Sequence, residues 1–172
     1  MTFEEADNGQ ANVYKNDENC AVCVVAHELR LRGFDITALP YDDTEGSMSR
    51  LLSENTRSIW LTAKGKQPEF TLIGGSEDEI IAKIDRQTQP IGSRYHLGWD
   101  NKYGGGHIVT AERTDKGLFF YDAQRDTYLF LNEILTDMGE LTKLQLLRVD
   151  RLLVNARLLQ SLTEPIVNGR NR

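Results

Sequence analysis

The sequence predicts an α+β domain, with helices gathered in the first half of the chain and strands of an antiparallel sheet in the second. Three observations carry that prediction. The stretches ENCAVCVVAHELRLRGFD (18–35) and SEDEIIAKIDRQ (76–87) place apolar residues at helical spacing. Beyond Pro90, SRYHLGWD, GGGHIVTAERTDKGLFFYDAQ and LQLLRVDRL change to strand composition with turn residues between them. Helices and strands are segregated rather than alternating, which is the α+β pattern and not that of a doubly wound sheet.

Taken in order, residues 1–16 are polar and read as a loose N-terminal segment of a single domain spanning 1–172. Asp17 or Asn19 caps a first helix that runs to about Arg32, where Gly33 stops it. Val22, Val25, Ala26 and Leu29 give that helix a buried face. FDITALP reads as a short extended segment closed by Pro40, and SMSRLLSEN as a short helix. SIWL and EFTLIG have strand composition, and Pro68 argues for an edge or a loop between them. In SEDEIIAKIDRQ, Ser76 and Glu79 form a capping box, acids fill the first turn, and Ile80, Ile81 and Ile84 face inward. LNEILTDMG and ARLLQSL are expected as short helices around the sheet.

The totals exclude several classes of function. A chain of 172 residues is long enough to bury a real core, and its apolar and charged fractions suit an ordinary soluble globular protein. A net charge of −6 gives no basic footprint for nucleic acid and does not favour an anionic membrane surface. The acidic start MTFEEADNGQ has no apolar core of a signal peptide and would suit a domain cut from a longer protein. Two cysteines are not a disulfide framework, which points to a reducing cytoplasm.

Those two cysteines, Cys20 and Cys23, admit four readings. They can be small buried apolar residues. A redox pair would follow a strand, but the preceding segment is polar. A zinc site could use Cys20, Cys23 and His27, which share a helical face, with His96 or His107 as fourth ligand; no second cysteine knuckle exists to complete the usual pattern. The fourth reading is a nucleophile: a thiol at a helix N-terminus sits in the positive end of the backbone dipole, which favours the thiolate. Acyl transfer then needs a histidine as base and acid, and a group to orient it.

The hairpin in the second half can supply both. His107 follows three glycines and opens the strand HIVTAER, which a turn at Asp115-Lys116-Gly117 returns as LFFYDAQ. If Arg113 pairs with Leu118, Val109 lies opposite Asp122. His107, Val109, Ala111, Phe120, Asp122 and Gln124 then share one face, with His107 and Asp122 as diagonal neighbours. A three-residue loop would put His107 and Asp122 on opposite faces. His27 reads as an ordinary helical residue, and His96 lies between apolar neighbours.

NCAVCVVAHELRLRGFD, GGGHIVTAE and FFYDAQ, with the later LLRVDRLL, resemble the papain-fold toxin domains of bacteria. These include predicted glutamine deamidases attached to polymorphic toxins and to phage minor-head proteins. The resemblance covers roughly residues 15–155. It implies a papain-like fold with a central N-terminal helix, and a triad of Cys20, His107 as base and Asp122 as its orienting acid. Papain-type proteases use the second cysteine of a similar cluster. Bacteriocin-exporter peptidases use the first, in DCGxAC, which ENCAVC resembles more closely; Cys20 is also nearer the cap. One departure is the lack of a glutamine in VYKNDEN to stabilise an oxyanion; Asn19 and the backbone N–H groups of the helix start are candidates. The resemblance further implies a bacterial or phage-encoded protein made in the cytoplasm and delivered into a target cell. Its partners would be a protein substrate, engaged through a glutamine side chain, and a cognate immunity protein. It implies neither a nucleic-acid nor a membrane partner, and the chemistry calls for no cofactor and no metal. The competing expectations are a cysteine protease, a non-catalytic interaction module of a phage or toxin protein, and the zinc site above.

Overall fold

The computed structural model describes residues 6–166. Its elements are α1 (Cys20–Leu31), β1 (Ile36–Ala38), α2 (Met48–Glu54), β2 (Trp60–Leu61), β3 (Thr71–Ile73), α3 (Glu77–Gln87), β4 (Arg94–Asp100), β5 (Gly106–Thr114), β6 (Gly117–Asp122), β7 (Thr127–Leu129), α4 (Leu131–Asp137), β8 (Leu144–Arg148), β9 (Leu153–Val154), α5 (Ala156–Leu159) and β10 (Thr163–Pro165). The α+β segregation is observed. A six-stranded antiparallel sheet runs in the order β3-β8-β4-β5-β6-β7, and the pairs β1-β10 and β2-β9 stand apart from it.

Helix α1 is the centre of the molecule. Every residue from Ala21 to Leu29 is buried, including His27 and Glu28, so the helix has no solvent face along that length. It stops in a Schellman turn: Gly33, at φ +96°, sends its N–H to Arg30 O, and Phe34 N–H reaches Leu29 O. Two polar anchors hold it. Buried Glu28 accepts from Arg94 of β4 (2.7 and 2.9 Å) and from Arg32 (2.8 Å), joining helix to sheet. His27 pairs with Asp7, both fully buried.

That pairing corrects the expectation of a loose segment over 1–16. In its described part Ala6, Asp7, Ala11 and Asn12 are buried, residues 10–12 form a 3-10 turn, and Asp7 also accepts from Ala11 N–H. The segment packs because His27, fully buried in the helix, is partnered there by Asp7, and a buried polar group needs such a partner. Residues 1–5 lie outside the described part.

The sheet separates two cores. One face carries Ile108, Tyr121 and Leu147 against α1. The other carries Tyr95, Leu97, Val109, Ala111 and Phe120 against Ile80 and Ile84 of α3 and Ile134 of α4. The capping box of α3 forms as expected, with Ser76 Oγ accepting from Glu79 N–H and Glu79 from Ser76 N–H. Ile81, expected inside, is exposed; it lies about 100° round the helix from Ile80, beyond the narrow stripe that Ile80 and Ile84 bury. The hairpin has the expected register: Arg113 pairs with Leu118, and pairing extends to Thr114 with Gly117. β7 is an additional three-residue edge strand entered through Asp126 at φ +54°.

Candidate active site

Cys20 is the first residue of α1 and is half-buried, whereas Cys23, one turn on, is fully buried. Asn19 is the cap by position but not by side chain. Its amide turns inward, donating to Asn12 Oδ1 (3.3 Å) and Leu39 O (3.0 Å) and accepting from the Cys23 thiol (3.2 Å) and Gln124 Nε2 (3.4 Å). Asn12 in turn donates to Gln124 O (2.9 Å). This amide network ties the start of α1 to the turn that follows β6. Burial pushes the Cys23 thiol far above the usual range, and that cysteine is a neutral packing residue with one hydrogen bond.

His107 lies on β5 and Asp122 closes β6, on the same face as the register requires. His107 Nε2 donates to Asp122 Oδ2 at 2.6 Å. Asp122 is fully buried, and its second oxygen accepts from the N–H groups of Gln124 (3.0 Å) and Arg125 (3.1 Å), so the carboxylate is fixed from both sides. With Nε2 committed, Nδ1 is the nitrogen left for Cys20. Burial pulls the imidazole down, but hydrogen bonds with Asp122 and Cys20, and the charges of both, outweigh it and carry His107 up to about 9. Trp99, the cross-strand partner of His107, meets the imidazole edge-on at 5.3 Å between ring centres, and its Nε1 donates to Asp137 (2.8 Å).

The three glycines have distinct duties. Gly104 and Gly105 take positive φ to turn the chain, and Gly106 has no Cβ because one would sit 3.0 Å from Trp99 O. They set the approach of β4 and β5, and so the position of His107. Cys20 and His107 line one open cleft of about 510 Å³, together with Ser53–Arg57, Phe70, Leu72, Gly98 and Gln145. At the helix start, Val22 and Cys23 N–H are both taken by Asn19 O, so those of Cys20 and Ala21 are the two that helix geometry leaves for an incoming oxygen.

A profile of the family described as papain fold toxin 1, glutamine deamidase, matches residues 18–127. The chain belongs to this family. No curated protein matches it. The matched span runs from the residue before the Asn19 cap to the start of β7, and so contains the helix start, the cleft and the hairpin. The α+β architecture, with a buried N-terminal helix against an antiparallel sheet, is that of the papain fold. The family is one of toxins named for deamidation of glutamine.

The sites that composed the zinc reading are not brought together. His27 is turned to Asp7 and Cys23 is buried against Asn19. Among the described residues no group of three or more His, Cys, Asp or Glu side chains is placed to hold a metal ion. His96 is fully buried between Trp60 and α1, and burial pushes it down to about 4, so it is a neutral core residue. Asn19, considered above for the oxyanion, is occupied in the amide network. Sequence reading missed Asn12 and Trp99, and placed Gln124 on the His107 face of the hairpin without its bond to Asn19. Trp99 left a signal, since counting the turn at 101–105 would place it opposite His107.

Proposed function

We propose that this chain is a protein-glutamine deamidase in which Cys20 is the nucleophile, His107 the acid and base, and Asp122 the residue that orients His107. The observation that supports it most is His107 held through Nε2 at 2.6 Å by a buried carboxylate, on the same cleft as Cys20, the first residue of a buried helix. Family membership supports glutamine as the substrate group.

In this reading the protonated His107 stabilises a Cys20 thiolate. The thiolate attacks the side-chain carbonyl carbon of a glutamine, and the N–H groups of Cys20 and Ala21 receive the developing oxyanion. His107 gives its proton to the nitrogen, the C–N bond breaks, and ammonia leaves a thioester on Cys20. Neutral His107 then takes a proton from water as it attacks the thioester, and glutamate is released with the thiol regenerated. No cofactor enters. The substrate is a protein of a target cell, reached by delivery of the toxin; the producing cell is protected by a cognate immunity protein, and the chain acts as one unit over 1–172. Among the described residues no helix is long and apolar enough to cross a membrane.

The test is ammonia release and a +1 Da change at glutamine in proteins of a bacterial lysate, for the wild type beside Cys20→Ala and His107→Ala. Deamidation that both substitutions abolish is expected. Cleaved peptide bonds without ammonia would replace deamidase with protease.

A further inference from the structure

Gly98 lies in the middle of β4, a central strand paired with β5 on one side and β8 on the other. Its φ is outside the left-handed region, so the backbone does not demand glycine there. Packing does not demand it either: an added Cβ would meet His107 O at 3.7 Å and Ile108 Cγ1 at 3.7 Å, which is ordinary contact. Gly106 is different, because there a Cβ would press on backbone at 3.0 Å. A glycine inside a strand weakens it, and one that neither turn nor packing requires marks a place where something else comes close.

What Gly98 faces is the cleft. Leu72, Gln145, Gly98 and Ile108 are successive cross-strand partners, so they form one row on the same side of the sheet. All four line the cleft shared by Cys20 and His107. The row is a floor of side chains with one gap, at Gly98, between the carboxamide of Gln145 and the body of Ile108. Both backbone edges of Gly98 are used by the sheet, so the gap offers a flat Cα surface and no free hydrogen-bonding group.

We propose that this gap is the slot for the side chain of the target residue, and that Gly98 and Gln145 determine specificity in the reaction assigned above, on which this inference rests. A flat apolar surface suits the two methylenes of glutamine, which are thin and unbranched, and the Gln145 carboxamide supplies the polar contact beside them. A β-branched side chain is too wide to lie there.

The experiment compares alkylation of Cys20 by two reagents in the wild type, Gly98→Ala and Gly98→Val. One reagent is iodoacetamide. The other is a blocked dipeptide in which the glutamine carboxamide is replaced by a chloromethyl ketone. Thermal melts check that each variant is folded, and Gly98→Ala carries the test if Gly98→Val is not. We expect the iodoacetamide rate to stay within about twofold, while the rate ratio of glutamine mimic to iodoacetamide falls about tenfold or more in Gly98→Ala and further in Gly98→Val, in line with one methyl group in a fitted pocket. A ratio unchanged by both substitutions overturns the slot, as does a wild type that shows no preference for the mimic over free cysteine. Failure of the underlying reading is seen separately: iodoacetamide would then react with Cys20 equally fast in wild type and His107→Ala.

Discussion

Asp122→Asn keeps the shape of the site and removes its charge. Oδ1 of Asp122 holds the N–H groups of Gln124 and Arg125, while Oδ2 accepts from His107 Nε2 at 2.6 Å. An asparagine keeps its oxygen on the turn and presents its NH₂ to His107. Nε2 must then accept, and the proton of the neutral ring moves to Nδ1, the nitrogen facing Cys20. Such a ring cannot take the thiol proton. The energy follows from the position of His107, carried from 6.5 to about 9 although burial opposes the rise. At 1.36 kcal/mol per tenfold change in proton affinity, that rise corresponds to about 3 kcal/mol. Without the Asp122 charge the burial remains and only Cys20 still opposes it, so the midpoint in the variant is expected well below 9. The sign for stability is fixed by a folded-state value above the unfolded one. The contribution is fully present below about pH 6.5 and is lost as pH rises through about 9. Urea denaturation of the wild type should therefore show up to about 3 kcal/mol of stability lost across that window, and the variant should show a smaller loss. NMR titration of the His107 ring reads the midpoint directly, and alkylation of Cys20 should slow by about 10²–10⁴-fold. A variant whose His107 still titrates above pH 8, or whose Cys20 reacts at the wild-type rate, refutes this account of the site.

Three further outcomes are expected. Cys20→Ala abolishes ammonia release, while Cys23→Ala keeps it and lowers stability by about 1–2 kcal/mol, because it removes a buried thiol bonded to Asn19; activity assays beside chemical denaturation separate the two cysteines. Asp7→Ala breaks a fully buried pair with His27 and should cost about 3–5 kcal/mol, measured as a shift in the urea midpoint at constant slope. Gly106→Ala places a methyl group 3.0 Å from Trp99 O. Since that neighbour is backbone, β4 and β5 must part, with a loss of about 1–3 kcal/mol and a drop in kcat at unchanged substrate affinity.

The fold class and the hairpin register were legible because each rests on local chemistry. Segregation of helical and strand patterns gives α+β, and a turn at Asp115-Lys116 with alternating neighbours leaves His107 and Asp122 on one face. The capping box of α3 was equally local. What the sequence did not disclose is anything that depends on two distant segments meeting. Asp7 looked like one acid of a polar start, and only the burial of His27 gives it a fixed role. The turn of Asn19 away from the cap is settled by Asn12, Leu39, Cys23 and Gln124, which come from four different places. Ile81 was misplaced because periodicity reports a face of a helix, not how wide a strip the neighbouring sheet covers.

By itself the sequence determined the helix that begins at Cys20, the strands that carry His107 and Asp122, and the spacing that lets the last two meet, because backbone period and turn length are properties of short stretches. The tertiary structure decided how Cys20, which the sequence favoured over Cys23, reaches the cleft, that His107 is held by Asp122 on one nitrogen with the other left for the thiol, and that Gly98 lines the cleft. Those are matters of burial and of which solvent a group has lost. They exist only once α1 has been packed across the sheet.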